Sequence, residues 1–166
     1  MKMLFALVMV FSFITSFLLA NSLELGSPAP QLKVLTDEGI TLDLGEALSA
    51  GTTLVFFYPK AMTPGCVKQA CSLRDGWDEL QARDVKIFGV SKDTVKTQAQ
   101  FRDKYTLPFT LLADTDRKIA DAFSKPMIRQ AYLFKDGILV WRDLMAATSK
   151  QATDVLAALD ELGPNS

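Results

Sequence analysis

Cys66 and Cys71 are the only two thiols in a chain of 166 residues that contains no histidine. The missing imidazole excludes Ser-His and Cys-His hydrolases, His-ligated zinc and His general bases together. Two thiolates are too few to cage zinc or an iron–sulfur cluster, so neither a metal nor a cofactor is expected. What remains is chemistry at sulfur itself. Cys66 lies in residues 59–75, PKAMTPGCVKQACSLRD, directly after an apolar run. Thr63-Pro64 reads as a helix start, with Thr63 as N-cap and Pro64 at the first helical position. Cys66 then takes the third position, where capping-box residues face free backbone N–H groups. A site of that kind, at the positive end of the helix dipole, favours the ionised thiol over the neutral one.

The spacing of the two cysteines says more. Four residues separate them, and in an unbroken helix positions five apart lie about 8–9 Å apart at Cα and face different ways. That exceeds the usual disulfide span. The dithiol can be fully helical, whereas the disulfide requires the first turn to unwind between Thr63 and Arg74. Such a pair closes a short loop and opposes its own helix, so it is a poor static staple. In exported proteins a pair of cysteines is nevertheless more often structural than catalytic. The residues alone therefore reach a reactive dithiol at a helix start. They leave open a redox enzyme or a binding domain with a structural bridge.

These residues need a scaffold, and the rest of the chain supplies its pattern. Lys2 precedes a charge-free apolar stretch over residues 3–20 that ends in Ala20, Asn21 and Ser22. A positive start, apolar middle and small polar end describe a secretory signal peptide over residues 1–22. The stretch is also just long enough to serve as an uncleaved anchor, so a membrane would enter only in that case. The domain over residues 23–166 is expected to be exported, and periplasmic in a bacterium. A net charge of -1 gives no support to nucleic-acid binding.

Within that domain, residues 25–48 read as an irregular entry with a small hairpin. Residues 53–58 (TLVFFY) form a buried strand, residues 67–83 carry helical spacing through Trp77 and Leu80, and residues 85–90 form a second strand parallel to the first. A helix over 94–105, a short strand over 109–112 and a short helix over 117–123 follow. Strands over 130–134 and 138–144 flank Lys135-Asp136-Gly137, a hairpin signal. A last helix spans 151–162 before Gly163-Pro164. The order gives an α/β, thioredoxin-like fold, a central mixed sheet flanked by helices with extra elements. Asp114-Thr115-Asp116 resembles a calcium loop but lacks its Gly and terminal Glu.

At the reactive segment the sequence resembles the peroxiredoxins, in particular the Q-type group that includes the bacterioferritin-comigratory protein. Pro59, Thr63 and Cys66 match the family's Pro, three residues, Thr, two residues, Cys pattern. FFYPKAMTPGC and QACSLRD resemble that subgroup, as do GVSKDT from Gly89, LPFTLLAD from Leu107 and RQAYLFKD from Arg129. The resemblance implies a thiol-dependent peroxidase for hydrogen peroxide and small organic hydroperoxides. It assigns Cys66 the peroxidatic role and Cys71 the resolving role. It implies that Thr63 positions the peroxide, that Pro59 shields the thiolate and that Arg129 holds it and polarises the O–O bond. A thioredoxin-like protein would be the reductant, and the chain a monomer or weak dimer. Five residues lie between Phe123 and Arg129 where the subgroup carries a longer segment. A neighbouring reading is an exported thiol-disulfide oxidoreductase; the four-residue gap and Thr63 argue against it.

Overall fold

Residues 53–58 are apolar on both sides because the strand they form is covered on both faces. The computed structural model describes residues 23–123 and 128–163. The run becomes β3 (Thr52–Phe57). Leu54 and Phe56 face one apolar layer together with Tyr58, while Val55 and Phe57 face another. That split is the two-residue period of a pleated strand buried on both sides.

Around β3 lie β1 (Lys33–Thr36), β2 (Thr41–Asp43), β4 (Val85–Ser91), β5 (Thr110–Ala113), β6 (Gln130–Lys135) and β7 (Ile138–Asp143). They make one mixed sheet in the order β2-β1-β5-β4-β3-β6-β7. β3, β4 and β5 run parallel, and β6 lies antiparallel to β3, with Phe57 opposite Gln130. At the β6–β7 hairpin Asp136 and Gly137 have φ of 48° and 82°. Two positive φ values in a row are what a tight hairpin turn requires.

The layer holding Leu54 and Phe56 also contains side chains of α2 (Pro64–Asp75), α3 (Trp77–Gln81), α4 (Val95–Tyr105) and α6 (Gln151–Leu162). The opposite layer takes α1 (Leu44–Leu48) and α5 (Lys118–Ala122). This is a thioredoxin-like α/β fold.

Three elements differ from the sequence reading. The single helical stretch expected over 67–83 is two helices, broken at Gly76 with φ -91° and ψ 11°. A Cβ at Gly76 would lie 2.6 Å from the Cβ of Ala152, so a glycine lets α6 press against the break. Trp77 consequently opens α3 rather than riding on the helix that carries the cysteines. The third element, α1, was not foreseen; five residues are too few for a periodic signal, although Leu44 and Leu48 are fully buried and Asp43 Oδ1 caps the Glu46 N–H at 3.1 Å. The stretch read as a signal peptide and residues 124–127 of the shortened segment lie outside the described residues. Among those described, no helix is long and apolar enough to cross a membrane.

Candidate active site

Pro59 ends β3, and the chain loops back through Met62, whose φ of 65° is left-handed. α2 then begins with Thr63 in extended conformation (φ -80°, ψ 147°) and Pro64 at its first position. Cys66 therefore stands at the third helical position, as the sequence indicates. The first intrahelical bond is the one Val67 N–H donates to Thr63 O at 2.9 Å. The N–H groups of Gly65 and Cys66 precede it and have no acceptor within the helix. Thr63 is the N-cap by backbone, but its side chain does not cap, contrary to expectation. Its hydroxyl instead donates to Lys60 O at 2.9 Å, a carbonyl that the turn through Met62 brings within reach. The helix start is thus left without a competing oxygen.

Cys66 is 1% exposed and shares an apolar cluster with Tyr58, Ala61 and Ala146. Cys71 is half-buried, and both are free thiols. A set of hydrogen bonds fixes the loop in front of Cys66. Asp93 Oδ2 accepts from the Ala61 N–H and from Ser91 Oγ, both at 2.7 Å. Gln98 donates to Ser91 Oγ at 3.1 Å and accepts from the Tyr58 hydroxyl. Burial drives the Tyr58 phenol far above its ordinary range. Hydrogen bonds with Ser91 and Gln98 oppose that shift, and the nearby Asp93 and Cys66 add to it. The phenol stays a neutral donor throughout the working range of pH. Ser91 and Asp93 sit in the GVSKDT segment, but their service to the Ala61 loop depends on β4 lying beside β3. No short-range pattern carries that information.

Arg129 reaches the same helix start from the other side of β3. The register that sets Phe57 opposite Gln130 brings residue 129 alongside the end of β3, and Ala146 N–H bonds to Arg129 O at 3.0 Å. A Cβ added to Gly65 would sit 3.1 Å from Arg129 Nη1 and 3.4 Å from its Cζ. The guanidinium therefore lies against the turn next to Cys66, in space that the missing side chain of Gly65 leaves open. Thr63, Cys66 and Arg129 are brought together. Pro59 is placed differently. It is exposed, and it lines a cavity of about 170 Å³ with Tyr58, Ser91, Lys92, Asp114 and Arg117, a cavity that Cys66 does not line.

Arg74 and Asp75 pair at 2.8 Å, and Arg74 also donates to Tyr105 O at 2.9 Å. The Arg74 guanidinium is shifted upward, chiefly by its bond to Asp75; burial opposes the shift and the neighbouring Cys71 assists it. Asp114 serves α5, its two carboxylate oxygens accepting the N–H groups of Ile119 and Ala120 at 2.9 and 2.8 Å. Among the described residues, no group of three or more Cys, Asp or Glu side chains converges to hold a metal ion.

The chain has relatives among known proteins. Residues 25–142 match the AhpC/TSA family. A putative peroxiredoxin bcp of Coxiella burnetii is 44% identical over 102 residues, which span 61% of this chain and 67% of that one. Peroxiredoxin Bcp of Escherichia coli K12 is 41% identical over 103 residues, spanning 62% of this chain and 65% of the relative. The matched stretch thus covers about two thirds of each relative's length. Among solved structures, peroxidoxin BcpB of Mycobacterium tuberculosis superposes with a TM-score of 0.77 at 28% identity, over 85% of this chain and 99% of that one. The bacterioferritin comigratory protein of Xanthomonas campestris, studied for alkyl peroxide reduction, superposes with a TM-score of 0.75 at 28% identity, over 84% and 97%. The chain belongs to the AhpC/TSA family, and within it to the peroxiredoxins of the Q and bacterioferritin-comigratory kind.

Proposed function

We propose that the chain is a thiol-dependent peroxidase in which Cys66 attacks a hydroperoxide and Cys71 resolves the product. The observation that carries this reading is the Arg129 guanidinium packed on Gly65, one residue from Cys66. The Cys66 thiolate attacks one peroxide oxygen, the O–O bond breaks, and the departing oxygen takes a proton to leave as water or an alcohol. Cys66 becomes a sulfenic acid. Negative charge grows on the departing oxygen, and a fixed guanidinium and free backbone N–H groups stabilise it there. Thr63 has already committed its hydrogen to Lys60 O. Its lone pairs accept the hydroperoxide O–H and so orient the substrate. Pro59 contributes by ending β3 and starting the loop that screens the sulfur.

Cys71 then attacks the Cys66 sulfur, an S–S bond forms, and the sulfenic oxygen leaves as water. A thioredoxin-like dithiol restores both thiols by exchange. Burial of Cys66 favours slim oxidants, hydrogen peroxide and small alkyl hydroperoxides. With residues 1–22 acting as an export signal, the enzyme works outside the cytoplasm and draws electrons from an exported reductant.

Peroxide consumption by the purified protein with dithiothreitol or thioredoxin tests the reading. The expected result is steady turnover by the native chain and none by Cys66→Ser. Full peroxidase activity in Cys66→Ser, or insulin reduction without any peroxide consumption, would overturn it.

A further inference from the structure

Gln69 lies between the two cysteines on α2, and Gln151 opens α6. Both are fully buried. Gln69 Nε2 donates to Gln151 Oε1 at 2.9 Å and approaches Phe57 O at 3.5 Å. The remaining amide atoms, Gln69 Oε1 and Gln151 Nε2, are buried with no hydrogen-bond partner. Turning either amide over would set like atoms against each other at the 2.9 Å contact. Turning both would aim Gln69 Oε1 at the Phe57 carbonyl. The two orphaned atoms therefore belong to the helical form of α2 itself.

A second contact between the helices begins just beyond Cys71. Ala152 N–H donates to Ser72 Oγ at 3.2 Å, and Gly76 meets Ala152 in close approach. Residues 72–76 are thus held on α6 by satisfied contacts, whereas Gln69 is held by a half-satisfied one.

We infer that Gln69 and Gln151 are positioning residues for the resolving step: their buried, half-satisfied amide pair destabilises the helical form of α2 and so promotes the unwinding that lets Cys71 reach Cys66. An orphaned buried polar atom penalises the folded arrangement, and water satisfies it once the turn opens. Unwinding runs from the helix start through residue 71 and stops at Ser72, where the satisfied contacts begin. The inference rests on the peroxidase reading for the sulfenic acid that Cys71 traps.

Two variants test it, Gln69→Met/Gln151→Met and Gln151→Met alone. Methionine keeps length and flexibility and removes the amides. Reduced protein is mixed with one equivalent of hydrogen peroxide, and two rates are followed by rapid quench and mass spectrometry: loss of the Cys66 thiol and appearance of the disulfide. In the double variant, disulfide formation is expected to slow about fivefold to tenfold, the scale of one orphaned group, and in a parallel run with excess peroxide more Cys66 should be carried on to sulfinic acid. In Gln151→Met, Gln69 loses its partner as well, and disulfide formation is expected to speed up about threefold. Thiol loss should stay within about twofold of wild type in both, because neither amide belongs to the peroxide site.

A purely structural role would change both single and double variants in the same direction, and that result overturns the inference. So does an unchanged disulfide rate. Should the double variant not fold, Gln151→Met alone decides: a disulfide rate at or below wild type sinks the idea. If no variant nor the wild type loses its thiol to peroxide, the peroxidase reading fails instead.

Discussion

The Arg129 guanidinium and Gly65 occupy one shared space, and each can be altered separately. Arg129→Met removes the cation and should lower kcat/KM for peroxide by about 100-fold, the usual scale for losing one stabiliser of a developing oxyanion. Gly65→Ala keeps the cation but inserts a Cβ that would lie 3.1 Å from Nη1. The guanidinium must shift by a fraction of an ångström, and a loss of about 10-fold is expected, with the fold unchanged by circular dichroism. Steady-state kinetics with hydrogen peroxide would check both, and equal rates in all three proteins would contradict the placement of Arg129. Asp93 acts one step further away. Asp93→Ala frees the Ala61 N–H and Ser91 Oγ and should cost about 10-fold in the peroxide step, while Asp93→Asn keeps an acceptor oxygen and should recover most of it. The helix start at Thr63 and Pro64, which puts Cys66 at the third helical position, was readable from residue types and spacing because it is a local signal. The direction of the Thr63 hydroxyl was not, since it depends on the left-handed turn at Met62.

The break between α2 and α3 bounds the segment proposed to unwind. Gly76 stops α2 five residues after Cys71 and lets α6 approach. Gly76→Ala would overpack that contact, and a loss of stability of about 1–3 kcal/mol is expected by denaturant melting. No loss at all would mean that α6 is not seated there. The sequence pattern carried helical spacing straight through this point, because spacing reports which face is apolar and says nothing about a distant helix pressing on one residue. Longer or better-punctuated elements were legible. The terminal helix over 151–162 and the β6–β7 hairpin match expectation, the first through its apolar stripe and the second through Asp136-Gly137. The Gln69–Gln151 pair was invisible for a different reason. A buried glutamine looks like a surface glutamine until its partner, 82 positions away, is known.

At the scale of the whole molecule, two layers of aromatic and aliphatic side chains hold the sheet that brings residues 57–66, 91–93 and 129 to one end. Phe57, Phe123, Phe134 and Tyr132 stack in edge and tilted pairs on the face away from Cys66. Burial raises the Tyr132 phenol to about 12, against about 10 in an unfolded chain. A raised pKa means that the folded state keeps the proton longer. The stabilisation is complete below pH 10 and is lost as pH rises from 10 towards 12, at about 1.4 kcal/mol per pH unit. Tyr132→Phe should flatten that alkaline decline in urea melts taken at successive pH values, and an unchanged slope would contradict a buried neutral phenol.

On the proposed mechanism, peroxide oxidises the Cys66 sulfur and Cys71 traps the product, and mass spectrometry of Cys71→Ser beside the native chain tests that sequence most directly. After one equivalent of hydrogen peroxide the native chain should lose two hydrogens, with a single bridge between the Cys66 and Cys71 peptides. Cys71→Ser should gain one oxygen on the Cys66 peptide, and a second when peroxide is in excess. Oxygen gained elsewhere while Cys66 stays a free thiol, or no reaction in either protein, would contradict it.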